Sequence, residues 1–128
     1  MKRESVRTAG APAAIGPYSQ AVRTGGFLFC SGQIPLDPST GKMVDGGIER
    51  QAERVLKNLE AVLAAGGATL RSVVKTTVYL LDLGDFPAMN AVYGAFFSEN
   101  PPARATVQVA KLPAGARVEI DAVATVGG

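Results

Sequence analysis

The chain has no histidine, no tryptophan and a single cysteine, Cys30. Without histidine, neither Ser-His-Asp nor Cys-His chemistry can be assembled within it. Histidine absent and cysteine single, a zinc site of the usual nitrogen and sulfur ligands is not expected. One cysteine cannot form an intramolecular disulfide, so nothing points to an oxidising compartment. Aromatic residues make up 6%, a weak basis for stacking single-stranded nucleic acid. No apolar run approaches the roughly eighteen residues of a membrane-spanning helix, so no membrane partner is expected. The opening MKRESVRTAG carries charges without an apolar segment behind them, unlike a secretory signal, and the cytoplasm is the default compartment. Net charge is only +2 and the basic residues are scattered, so no nucleic-acid partner is expected either.

What is present suits one globular domain over 1–128, with 47% hydrophobic and 19% charged residues. A chain of this length buries roughly two-thirds of its unfolded surface and needs no covalent or metal staple. Any catalysis must rest on carboxylates, arginine, hydroxyls and backbone dipoles, and no cofactor is implied.

Residues 2–8 could form an edge strand. Gln20 to Thr24 and Phe27 to Ser31 are β-prone runs around Gly25-Gly26, a hairpin signal. From Gln33 to Gly47 proline and glycine punctuate a loop, with turn chemistry in Asp37-Pro38-Ser39-Thr40-Gly41. Ile48, Ala52, Val55, Leu56, Leu59, Val62 and Leu63 then repeat at helical spacing, Glu53 and Lys57 pair at i,i+4, and Gly66-Gly67 stops the helix. Val73 to Leu81 reads as a strand mostly apolar on both faces, which suggests a central, doubly covered position. A second helix opens at Asp85 as N-cap with Pro87 in its first turn. It carries Phe86, Met89, Val92, Tyr93, Phe96 and Phe97, and stops before Asn100-Pro101-Pro102. Strands at 103–110 and 117–126 close the chain. The expected class is α+β, a mixed sheet with two helices on one face. In the last strand Arg117, Glu119, Asp121, Val123 and Thr125 alternate with Val118, Ile120, Ala122, Ala124 and Val126. A helix-free sheet face in so small a domain is often covered by another subunit.

Several residues could carry chemistry. Arg104 enters a strand behind Pro101-Pro102-Ala103; its planar fork can clamp a carboxylate, although on spacing alone a solvated surface arginine is the simpler reading. Glu119 lies mid-strand among apolar residues, where desolvation would raise its pKa, or it is a plain solvent-facing position. Ser31-Gly32 ends a strand where glycine admits a close backbone approach, or makes an ordinary exit into the loop. Tyr18 is a phenol beside a stiff Gly-Pro, either ligand-facing or packed with a wet tip. Asn90 shares a helical face with Phe86, Tyr93 and Phe97 and needs a polar partner. Cys30 reads as a small buried hydrophobe.

Six blocks shift the balance: GPYSQAV (16–22), SGQIPLDPSTGKMV (31–44), NLEAVLAAGGA (58–68), VVKTTVYLLDLGDFPAMNAVYGAFF (73–97), PPARATVQVAKLP (101–113) and VEIDAVA (118–124). In this order and spacing, from about Ala13 to Val126, the chain resembles the reactive-intermediate deaminase (Rid/YjgF) family. The resemblance implies a chorismate-mutase-like (ferredoxin-like) α+β fold. It also implies a homotrimer whose sheets form a central barrel, with active sites in clefts between subunits. The implied activity is hydrolysis of 2-imino acids and their enamine tautomers, such as 2-iminobutanoate and 2-iminopropanoate, to 2-oxo acids and ammonia. By the same resemblance Arg104 clamps the substrate carboxylate and Glu119 handles the attacking water. Tyr18, Ser31, Gly32 and Asn90 line the cleft. Thr106 stands where the resemblance places a cysteine in many relatives: it is tolerated there if the position acts mainly through its backbone, as the resemblance suggests, and activity is lowered or altered if the thiol matters. A non-catalytic homotrimer that binds small carboxylates or proteins is the competing reading; it would not need Glu119.

Overall fold

A computed structural model describes residues 2–127. The chain runs through β1 (Arg3–Val6), β2 (Ala21–Thr24), β3 (Phe27–Gln33), α1 (Ile48–Ala65), β4 (Val73–Leu80), α2 (Phe86–Phe96), β5 (Ala103–Gln108) and β6 (Val118–Thr125). The strands form one mixed sheet in the order β1-β2-β3-β6-β4-β5. Gly25 and Gly26, at φ 59° and 83°, make the β2–β3 turn; two left-handed residues give a turn whose twist matches the strands it joins. β3 and β4 flank β6 antiparallel, while β5 adds to β4 in parallel after the α2 crossover, Thr76 facing Arg104.

The apolar stripe of α1 is buried as its spacing requires: Val55, Leu56, Leu59, Val62 and Leu63 are inaccessible to solvent. Each such side chain contributes about 1.5–3 kcal/mol relative to leaving it in water. Two polar residues interrupt that face and are satisfied. Asn58 donates to the carbonyls of Ile34 and Leu36, and the Gln51 carbonyl accepts from the Arg117 amide. The loop after β3 and the start of β6 are thereby tied to α1. Glu53 and Lys57 do approach each other at i,i+4, at 3.9 Å and in the open.

Both helices cover the sheet face that carries Leu28, Cys30, Val78, Leu80, Val118, Ile120, Ala122 and Ala124, all buried. Burial pushes the Cys30 thiol up to about 12, with the Asp121 charge adding to it. The opposite face carries Phe27, Phe29 and Val107, 43%, 46% and 42% exposed. Its polar centre is Tyr79 donating to Asp121 at 3.0 Å.

Two expectations need correcting. β4 is not doubly covered in the chain: Thr76, Val78 and Leu80 are buried under the helices, but Lys75 is exposed and Thr77 and Tyr79 only half-buried. Its two-sided apolar look came from Val73-Val74, where a register shift against β6 turns Val74 outward. Asp85 is the N-cap of α2 but its side chain does not cap; both its oxygens accept from the same Arg117 Nη2, each at 2.9 Å. That pair ties the start of α2 to the residue preceding β6. The cap hydrogen bond is made one turn earlier, Asp82 accepting from the Gly84 amide.

Candidate active site

Arg104 enters β5 on the helix-covered side of the sheet, opposite Thr76, and reaches over α2. Its guanidinium donates to the Asn90 side-chain carbonyl at 2.7 Å. The guanidinium carbon lies 4.7 Å from the centre of the Tyr93 ring and 5.3 Å from that of Phe86, within cation–π range. The ion pairs among the described residues involve Arg23, Lys57, Arg71 and Arg117, not Arg104. Its cation is held without a carboxylate. Thr106, two residues on and on the same side of β5, has a buried hydroxyl with no hydrogen-bond partner among the described residues. A buried orphan hydroxyl is costly, and a ligand is one way to satisfy it.

A second cluster forms where β3 bulges. Cys30 faces Ala122 and Gln33 faces Ile120, so Ser31 and Gly32 together oppose the single residue Asp121. A bulge of this kind re-aims side chains. Ser31 donates to the Ser19 carbonyl at 2.6 Å, and its amide donates to the Gln20 carbonyl at 3.0 Å. Gln20 is itself buried and donates to the carbonyls of Thr8 and Pro12, which holds the preceding loop against the bulge. Glu119 reaches across to Gly32 so closely that a Cβ there would collide with its carboxylate. Burial raises the Glu119 pKa above the ordinary carboxylate value, and the neighbouring Asp121 charge raises it further. Tyr18, Ser31, Gly32 and Glu119 line one cavity of about 470 Å³, whose other walls include Ile15, Ile34, Leu36 and Pro113. Tyr18 is half exposed, at 52%.

The sequence candidates therefore fall into two sets. Asn90, Arg104 and Thr106 belong to the helix side of the sheet, and Tyr18, Ser31, Gly32 and Glu119 to the cavity at the bulge. Arg104 faces Thr76 and Glu119 faces Tyr79 across β4. Thr76 and Tyr79 are an odd number of residues apart, so the two groups occupy opposite faces of the sheet and do not converge within one chain. The spacing puts Phe86 and Tyr93 on the same helical face as Asn90; the structure adds that both rings lie under the Arg104 guanidinium. Their spacing from Asn90, four residues before and three after, was the available signal. Among the described residues, no group of three or more His, Cys, Asp or Glu could hold a metal ion. None of their helices is long and apolar enough to cross a membrane.

Fold and residues together define a small α+β protein with an uncompensated guanidinium on one sheet face and a part-buried carboxylate on the other. Residues 8–126 match the family described as Endoribonuclease L-PSP, and the chain belongs to this family, whose members also carry the name Rid. Over 126 residues it is 57% identical to Protein DfrA of Myxococcus xanthus, covering 97% of this chain and 96% of that one. Over 125 residues it is 50% identical to the 2-iminobutanoate/2-iminopropanoate deaminase of Mus musculus, covering 98% and 93%. A crystal structure of a Thermotoga maritima protein superposes with a TM-score of 0.96 at 51% identity, covering 100% of both chains.

Proposed function

We propose that the protein is a hydrolytic deaminase of 2-imino acids and their enamine tautomers, working as a homotrimer whose sites form between subunits. The observation that carries this reading is the division of complementary groups between two faces of one sheet. One face offers a carboxylate-binding fork with no acidic partner, and the other offers an acid–base group beside an open cavity. Neither half is a site alone, and a second copy of the chain would supply the missing half to each. The exposed Phe27, Phe29 and Val107 supply apolar surface on the uncovered face, where such copies would meet. The deaminase name of the mouse relative supports the same chemistry.

Arg104 fixes the substrate carboxylate through two parallel hydrogen bonds, which orients the C2=N bond. Water attacks C2 of the N-protonated imine as Glu119 takes its proton, giving a neutral tetrahedral carbinolamine. Glu119 returns that proton to nitrogen, the C2–N bond breaks to release ammonia, and the hydroxyl proton passes through the freed Glu119 carboxylate to solvent, replacing the one that protonated the imine, as the 2-oxo group forms. The balance is one imine and one water in, one 2-oxo acid and one ammonia out. The upward shift of the Glu119 pKa, caused by burial first and the Asp121 charge second, suits a group that accepts a proton and then returns it. Gly32 leaves backbone free to face the reacting centre, and the Thr106 hydroxyl and Asn90 stand beside Arg104 to complete the polar contacts. Tyr18 flanks the entrance.

The test is a coupled assay in which an amino-acid oxidase generates 2-iminobutanoate and its loss is followed with and without the protein. The wild type should accelerate that loss. Arg104→Lys keeps the charge but not the fork, and should lower kcat/KM by about 100-fold or more with fold and assembly retained. Glu119→Gln should abolish turnover while 2-oxobutanoate still binds. If the Gln variant binds and turns over like wild type, Glu119 is not the base and the catalytic reading fails.

A further inference from the structure

The guanidinium of Arg104 sits on a ring that is itself anchored to the sheet. Tyr93 is 5% exposed, and its phenol oxygen is 2.7 Å from the Thr76 hydroxyl in a buried hydrogen bond. Its ring packs against Phe97, with ring centres 4.6 Å apart. Thr76 is fully buried on β4 and is the register partner of Arg104 on β5. The chain thus closes a loop: the backbone pairing that places the Arg104 Cα also places the hydroxyl that fixes the ring beneath the Arg104 fork.

Resting on the reading of Arg104 as the carboxylate clamp, we infer that Tyr93, anchored through its phenol by Thr76, is a positioning residue that sets the height and plane of the Arg104 guanidinium. Holding a long arginine side chain in one geometry costs rotamer entropy, so an edge-strand arginine needs contacts that fix it. The Asn90 hydrogen bond fixes one nitrogen but leaves the plane free to rotate about that contact. A ring face under the guanidinium carbon removes this freedom, because a planar cation stacks with its plane along the ring. Phe86 is farther away and has no polar group to fix its own height. A phenylalanine at position 93 would keep the stacking surface, yet it would lose the tie and leave the buried Thr76 hydroxyl without its partner.

Packing alone would also explain a buried tyrosine, so the test separates the two. Tyr93→Phe and Thr76→Val each break the pair and orphan one polar group; Tyr93→Phe combined with Thr76→Val removes both groups and leaves no orphan. Each single variant should lose thermal stability and lower kcat/KM about 10- to 100-fold. The double variant should recover its melting temperature but not its kcat/KM, since the anchor is still missing. Recovery of both together would reduce the pair to packing and overturn the inference. A readout independent of turnover is the nitrogen NMR of the Arg104 side chain. Rotation about its Cζ–Nε bond should be slow in the wild type and fast in the double variant; equal rates in the two overturn the inference. If the wild type proves unable to hydrolyse imines, the proposed function falls while the NMR comparison still decides whether Tyr93 positions Arg104.

Discussion

Glu119 is a carboxylate kept partly out of water next to a second one, Asp121, and that situation has a thermodynamic cost with a definite sign. Its folded-state pKa lies above the ordinary value because of burial first and the Asp121 charge second. The native chain therefore holds this proton more tightly than the unfolded chain does. The contribution to stability is complete below the ordinary carboxylate pKa, and is lost as pH rises from there through the raised value. Glu119→Gln removes the ionisation. The variant should be at least as stable as wild type at pH 7, with the difference closing below about pH 4. Urea unfolding of both proteins at the two pH values measures this. A Gln variant that is less stable than wild type at pH 7 would show that the carboxylate is not strained. A group that weakens the fold where it stands is more simply explained by its chemistry than by packing.

At the scale of the elements, the bulge in β3 does most to define the cavity. Two residues facing one turns Ser31 toward the Ser19 carbonyl and brings the Gly32 backbone under the Glu119 carboxylate. The atoms that a Cβ at Gly32 would strike are the end of a flexible side chain, not backbone. Gly32→Ala should therefore cost little stability, under about 1 kcal/mol, because Glu119 can swing aside. The displaced carboxylate should lower kcat about 100-fold. A thermal melt paired with the coupled assay checks both; unchanged turnover would mean that Glu119 does not act from this position. The bulge also marks where the sequence stopped being legible. The α1 stripe, the Gly25-Gly26 hairpin and the alternation in β6 could be read directly, because each is set by neighbours a few residues away. A bulge is set by the partner strand, and no local pattern announces that Asp121 will face two residues. The same holds for Val74, whose outward turn made β4 look apolar on both faces, and for Asp85, whose carboxylate went to Arg117 rather than to its own helix end. The seat under Arg104 was half legible: Phe86, Asn90 and Tyr93 share a face by spacing, but only the β4–β5 register brings Arg104 and Thr76 to it.

For the whole molecule, the decisive feature is that the sheet separates the two groups proposed to act together, Arg104 and Glu119. Such a chain cannot complete a site by any side-chain rotation, since the backbone of β4 and β6 stands between Arg104 and Glu119. A site shared around a three-fold axis has a consequence that a site within one chain lacks. In Arg104→Lys the Glu119 half is intact, and in Glu119→Gln the Arg104 half is intact. A trimer containing both kinds of chain then has one interface at which the two intact halves meet. Unfolding the two inactive variants together in equal amounts and refolding them gives mixed trimers three times out of four, each with one good site in three. About a quarter of wild-type activity should therefore return on mixing, by this counting for a cyclic trimer. Refolding either variant alone should restore none. The measurement is the coupled assay on the refolded mixture, with the trimer mass confirmed by light scattering. No recovery in a mixture that does form trimers would mean that Arg104 and Glu119 do not act on the same substrate. The division of groups across the sheet would then be incidental to function rather than its basis.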